Sequence, residues 1–353
     1  MSDYESRLDI PSRKKFFYNI NQNLRDYLVK YNRETSLPVQ YSDLLRFQMS
    51  VPLLDKNGTD TLWRTVYYDQ SEMNDLFPNL TYIYALMNAA GDVEVMDHLH
   101  IAQIDYCTFG NSKPFRIRVI NKFNDNYDYF YVKVGDASRV YGLELEHILS
   151  PNRLTYLTDN HTLIEEHISG LPGDLFIRQR IHTSKFNQIR ICKEFVKFNE
   201  RCFIRLLGDM RSYNYVVHIT PDIEGNQYRI RAIDFDQQSY EGRRQFYLPH
   251  FFKENNSLVS LGIQHMDKKT MRQYQEEERS LIKNRAKLVH YRLSDLLTAM
   301  KKDEISPTTK VKQLGTDLAE FHKKDIFRKC ATMGELVEEQ LSVYLSGKFN
   351  LYF

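Results

Sequence analysis

The chain has 353 residues, enough for two domains and a large core. Its 48 basic and 46 acidic residues leave a net charge of +2, so neither nucleic acid nor an anionic membrane is expected as a partner. With 42% hydrophobic and 27% charged residues, no apolar h-region at the start and no apolar run of about 18 residues, a folded cytoplasmic protein is expected.

Taken in chain order, residues 12–32 carry Phe16, Phe17, Ile20, Leu24, Tyr27 and Leu28 at helical spacing and predict an amphipathic helix. SVPLLD and TLWRTVYYD flank KNGT, a hairpin signal around Asn57-Gly58. A helix capped by Ser71 follows to about Ala90, with a break at Pro78. These first 95 residues are expected to form an accessory region. From His98 three β-rich runs follow, HIAQIDYC, PFRIRVIN and YDYFYVKV, joined by TFGNSK and KFNDN. Ser138 then caps a helix with VYGLELEHIL as its body, and an apolar run from Thr162 to Ile168 ends in a Gly/Pro bend at 169–173. The remainder reads as helical: 184–205, a long charged helix over about 266–302, and a last helix opened by the capping box Thr332/Glu335. The four cysteines show no CxxC spacing and are expected as free thiols.

The chemistry-bearing window is LLGDMRSYNYVV at 206–217 followed by RIRAIDFD at 229–236. Phosphoryl transfer from ATP calls for an acid that orients the acceptor hydroxyl and two oxygen ligands for magnesium. Asp209 suits the first role, Asn214 and Asp234 the second, with Asp236 able to share the metal because it lies two residues on along an extended chain. Arg211 would neutralise the transferring phosphate. Lys133, within the apolar strand FYVKV, is costly to bury unless it is paired or touches phosphate, and Glu144 or Glu146 on the next helix are its nearest partners. Gly110 in TFGNSK offers backbone N–H groups to phosphate, and the backbone of Glu166, His167 and Ile168 can meet an adenine edge.

EEHISG resembles the E-x-I-x-G hinge of the aminoglycoside phosphotransferase and choline kinase group of the protein kinase-like superfamily. LLGDMRSYN is similar to its H-G-D-x-x-x-x-N loop, and IDFD to its I-D-[WF]-[ED] motif. The resemblance covers about residues 100–240. It implies an α+β, two-lobed kinase-like fold with a β-rich N-lobe at 96–170 and a helical C-lobe at 171–353, preceded by the accessory region at 1–95. It implies Lys133 on the α/β phosphates, paired with Glu144 or Glu146, Asp209 as catalytic base, and Asn214 and Asp234 on magnesium. The chain departs from the pattern at Leu207, where the group has histidine, in its single-glycine loop, and in the lack of an A-P-E-type segment. The expected function is an ATP- and Mg2+-dependent phosphotransferase acting on a hydroxyl of an unknown acceptor, a small molecule or a protein. A pseudokinase module and a nucleotidyl (AMP) transferase are the alternatives.

Overall fold

A period of two assigns the strand faces in the first half of the chain. In Phe115–Asn121, Phe115, Ile117 and Val119 are buried while Arg116 and Arg118 take the other face. In the computed structural model, which describes residues 15–88, 97–109, 112–181, 187–223 and 225–345, the chain divides into two units. One holds Asn19–Ala137 and Leu154–His167. The other holds the residues up to Tyr18, Ser138–Arg153 and Ile168 onward. The fold is thus mixed α/β, a sheet region followed by helices.

The first unit contains α1 (Gln22–Lys30), α2 (Tyr41–Leu44), β1 (Met49–Leu54), β2 (Asp60–Tyr67), α3 (Gln70–Asn88), β3 (Leu99–Cys107), β4 (Phe115–Asn121), β5 (Tyr127–Val134), β6 (Tyr156–Asp159) and β7 (Thr162–Glu166). Its strands form one seven-stranded sheet in the order β1-β2-β3-β4-β5-β7-β6, every neighbouring pair antiparallel. Leu80, Ile83, Ile104, Phe115, Ile117, Phe130, Val132 and Ile164 share its core. The hairpin turn forms where Asn57-Gly58 predicts it: Gly58 takes φ +79°, and Asp55 accepts from the backbone of Asn57 and Thr59.

Three expectations change here. The boundary near residue 95 falls inside the sheet, because β2 pairs β3 through Trp63–Cys107 and Thr65–Asp105; residues 19–88 are strands and helices of this unit, not an accessory region. Strand pairing across an intervening helix leaves no local signature. The first helix starts at Gln22, where Asn21 caps it by accepting from Leu24 N–H; Phe16 and Phe17 lie outside it and are exposed. The helix expected to break at Pro78 runs through it as α3, and its cap is Asp69, which accepts from Glu72 N–H and from the Ser71 hydroxyl.

The second unit contains α4 (Ala137–Leu149, from Ser138 on), β8 (Leu171–Pro172), α5 (Gly173–Gln179), α6 (Gln188–Arg205), β9 (Tyr215–Asp222) and β10 (Gly225–Ala232), followed by α7 (Asn256–His265), α8 (Lys268–Leu288), α9 (His290–Lys301), α10 (Thr308–His322), α11 (Ile326–Lys329) and α12 (Met333–Leu345). The charged stretch expected as one helix is two, broken at Val289. Helix α6 is the hub, packing on α7, α8, α12 and β10. It buries Ile191, Phe195, Phe198 and Phe203, and it brings Arg201 and Arg205 inside as well. A buried guanidinium needs an anion: Arg201 meets Glu194 at 2.6 Å and Glu278 at 3.3 Å, and Arg205 meets Glu146 of α4. The four cysteines are free thiols, and burial pushes Cys192 up to about 11 and Cys202 up to about 12.

Candidate active site

Helix α6 ends at Leu206 in the left-handed conformation, φ +53°, which turns the chain sharply into Gly208 and Asp209. Gln238 reaches back to this end, and its Nε2 donates to the backbone oxygens of Arg205 and Leu206 at 2.5 and 3.2 Å. The loop is pinned on both sides: Gly208 N–H donates to Gln237 O, and Asp209 N–H to Phe246 O. Asp209 itself takes φ +58°, a region that few residues other than glycine tolerate and that aspartate reaches more easily than most.

The side chains that the spacing singled out converge here. Arg211 Nε donates to Asp209 Oδ1 at 2.8 Å, and its Nη1 to Glu254 Oε1 at 2.8 Å. After a 3-10 turn at Ser212–Asn214, the Asn214 amide nitrogen returns to Asp209, donating to its backbone oxygen at 2.7 Å and to Oδ2 at 3.4 Å. Ile233 N–H then donates to Asn214 O at 3.0 Å, which ties the loop to the end of β10 just before Asp234. Burial pushes the Asp209 carboxyl up, Arg211 pulls it down, and the charges of Asp234 and Glu254 push it up again, to about 6. A carboxylate so poised can take a hydroxyl proton near neutral pH.

Asp234 and Asp236 follow β10, and Asp236 N–H donates to Asp234 Oδ1 at 3.0 Å. Arg139, in the first turn of α4, donates from Nη1 to both carboxylates, at 3.0 Å to Asp234 and 2.8 Å to Asp236, and from Nη2 to Ile233 O. The Asp234 side chain is 35% exposed and that of Asp236 14%. Among the described residues no group of three or more His, Cys, Asp or Glu could hold a metal ion. Asp234 and Asn214 are nevertheless hard oxygen donors of the right kind for magnesium. The Asn214 amide nitrogen is spent on Asp209, which leaves its carbonyl oxygen as the group to offer. Two protein oxygens suit a cation that keeps its waters and arrives with phosphates.

In the other unit, Lys133 Nζ donates to Glu165 Oε2 of β7 at 2.8 Å, with side-chain exposures of 9% and 8%. Glu146, one of the two carboxylates expected opposite this lysine, serves α6 instead. Burial pushes it up, but Arg205, aided by Ser150, Arg201 and Asn152, outweighs that and holds it below the ordinary range. Glu144 accepts from Arg292 Nε of α9 at 2.6 Å. Glu166 and His167 are the last residues of the sheet unit, and Ile168 opens the third segment of the other. There His167 Nδ1 lies 3.1 Å from the Tyr131 hydroxyl, and burial pulls the imidazole below its usual value. Gly110 lies outside the described residues.

Sequence reading missed Arg139, Glu254 and Asn255. Arg139 carried the same signal as Lys133, a cation in an apolar stretch. Asn255 is fully buried, accepts from Tyr215 OH at 2.8 Å and donates to the backbone oxygens of Met210 and Pro249. Phe252 lies under the Arg211 guanidinium, 5.0 Å from ring centre to charge, and helps to hold it flat.

No protein-family model and no curated protein matches the chain. Among solved structures it is similar to the autoinhibited serine kinase domain of the giant muscle protein titin, at 15% sequence identity and a TM-score of 0.26, over 70% of this chain and 93% of that chain. A likeness at that level adds no weight to the side-chain geometry.

Proposed function

We infer that the chain is an ATP- and Mg2+-dependent phosphotransferase of the kinase-like kind, acting on a hydroxyl of a small molecule or protein. The observation that carries this reading is the Asp209 loop. A half-buried carboxylate with a raised pKa is held by Arg211 and Asn214, and the charge of Asp234 is close enough to be felt. That combination of base, cation and hard oxygens is what positioning-based phosphoryl transfer uses.

In this reading Asp209 accepts a hydrogen bond from the acceptor hydroxyl, aligns its oxygen, and takes its proton as the new P–O bond forms and the bond from the γ-phosphorus to the β,γ-bridging oxygen of ATP breaks, releasing ADP. Arg211, fixed by Asp209, Glu254 and Phe252, presents positive charge beside that carboxylate and offsets charge on the transferring group. Asn214 and Asp234 would hold magnesium, which when bound neutralises phosphate charge. In the sheet unit Lys133 would meet phosphate oxygens, with Glu165 beside it. The backbone of Glu166–Ile168 would face the base.

The test is to incubate the purified chain with Mg2+ and ATP, following phosphate release, product mass and nucleotide-dependent thermal stabilisation. Asp209→Ala should abolish transfer and keep nucleotide stabilisation. Asp234→Ala should weaken the Mg2+-dependent part of that stabilisation. Unchanged turnover in Asp209→Ala would sink the reading. Stabilisation without turnover would favour a pseudokinase module, and AMP added to the product a nucleotidyl transferase.

A further inference from the structure

Arg139 is 2% exposed, and a guanidinium buried this far must be matched by anionic or carbonyl partners. It finds them on one short segment: Asp234 Oδ1, Asp236 Oδ1 and Ile233 O. One turn further along α4, Gly142 makes the approach possible, because a Cβ there would lie 3.0 Å from Phe235 Cβ and 3.1 Å from Gln238 Cβ. The helix is also fixed from another side by the Tyr141 hydroxyl, which donates to Asp303 at 3.0 Å. The acidic pair is therefore closed on a cation that the protein supplies, and a second cation at Asp234 meets the repulsion of that guanidinium.

We propose that Arg139 is the resident counter-cation of Asp234 and Asp236, and that a divalent metal competes with it for Asp234, so that metal loading loosens the first turn of α4 from the acidic segment. This rests on the reading of Asp234 as a metal ligand. Arg139 is a positioning residue here: it sets the metal affinity and the attachment of α4 without touching substrate. Loss of a charge-assisted hydrogen bond of this kind corresponds to about tenfold in an equilibrium constant.

The experiment is a Mn2+ titration of the full chain, with free Mn2+ read by electron paramagnetic resonance, on wild type, Arg139→Gln, Arg139→Lys and Asp234→Asn. Arg139→Gln should bind Mn2+ about tenfold more tightly than wild type. Arg139→Lys, which keeps the charge but cannot bridge both carboxylates as a planar fork does, should shift the same way by less. Asp234→Asn should lose binding. Equal or weaker binding in Arg139→Gln, while Asp234→Asn still loses it, overturns the role of Arg139 and leaves the metal-ligand reading standing. Unchanged binding in Asp234→Asn overturns that reading itself. If Arg139→Gln does not fold by circular dichroism, Arg139→Lys decides on the same scale, and no tightening overturns the proposal.

Discussion

The Asn214 side-chain amide donates to the backbone oxygen of Asp209 at 2.7 Å, so the five-residue spacing between them is closed by a bond and is not an accident of composition. Closing it holds Asp209 at φ +58° and aims its carboxyl at Arg211. Strained backbone of this kind persists only where the surroundings over-determine it. Here the neighbours are Phe246 O on the Asp209 N–H, Asn255 on Met210 O, and Gln238 on the end of α6.

Asp209 should cost the folded state stability as pH rises. Its carboxyl titrates at about 6 in the fold and at the ordinary value of 3.8 when unfolded, so the folded chain binds the proton more strongly between those values. Stability is lost as pH rises through this window, on the order of 2–3 kcal/mol by pH 8. Asp209→Asn should therefore match wild type in urea unfolding near pH 4 and exceed it near pH 8. A difference independent of pH would contradict the raised pKa.

The same titration should appear in turnover. If Asp209 takes the hydroxyl proton as proposed, the acid limb of kcat/KM for phosphoryl transfer should bend near pH 6. Glu254→Gln removes a negative charge that raises this pKa, so the bend should move to lower pH. A profile that does not move would separate the two carboxylates.

The Lys133–Glu165 pair should behave as a buried ion pair. Lys133→Met leaves Glu165 without its lysine and should cost about 3 kcal/mol or more in chemical denaturation. Changing both to Met and Gln should cost clearly less than the two single changes added together. Strict additivity would show that the pair contributes nothing. On the functional reading, Lys133→Met also weakens nucleotide binding.

Gly142→Val should push α4 away from Phe235 and Gln238, whose Cβ atoms would lie 3.0 and 3.1 Å from the added carbon. Overpacking of this kind costs about 1–3 kcal/mol. Because Arg139 rides on the same helix, the variant should also change Mn2+ affinity. A destabilised protein with wild-type Mn2+ binding would uncouple α4 from the acidic segment.

Legibility followed the range of the interactions. Local patterns were readable: the Asn57-Gly58 turn, the alternation that puts Phe115, Ile117 and Val119 on one face, and the Asp209/Asn214 spacing whose closure the structure shows. Contacts between distant segments were not. Nothing in residues 60–67 announces that they pair with 99–107, which is why the first 95 residues read as a separate region. Nor does the helix after β5 reveal which of its charges turn inward; Glu146 goes to Arg205, 59 residues on, and Arg139 to Asp234, 95 residues on.

The sequence by itself determined the residue types and spacing of the candidate site, because a five-residue loop and a strand end are set by backbone geometry over a few residues. Only the tertiary structure decided the partners. Burying a charge demands an opposite charge, and which one arrives depends on how helices and strands far apart in the chain pack. Thus Lys133 meets Glu165, and Arg139 closes on the two aspartates that were expected to hold metal.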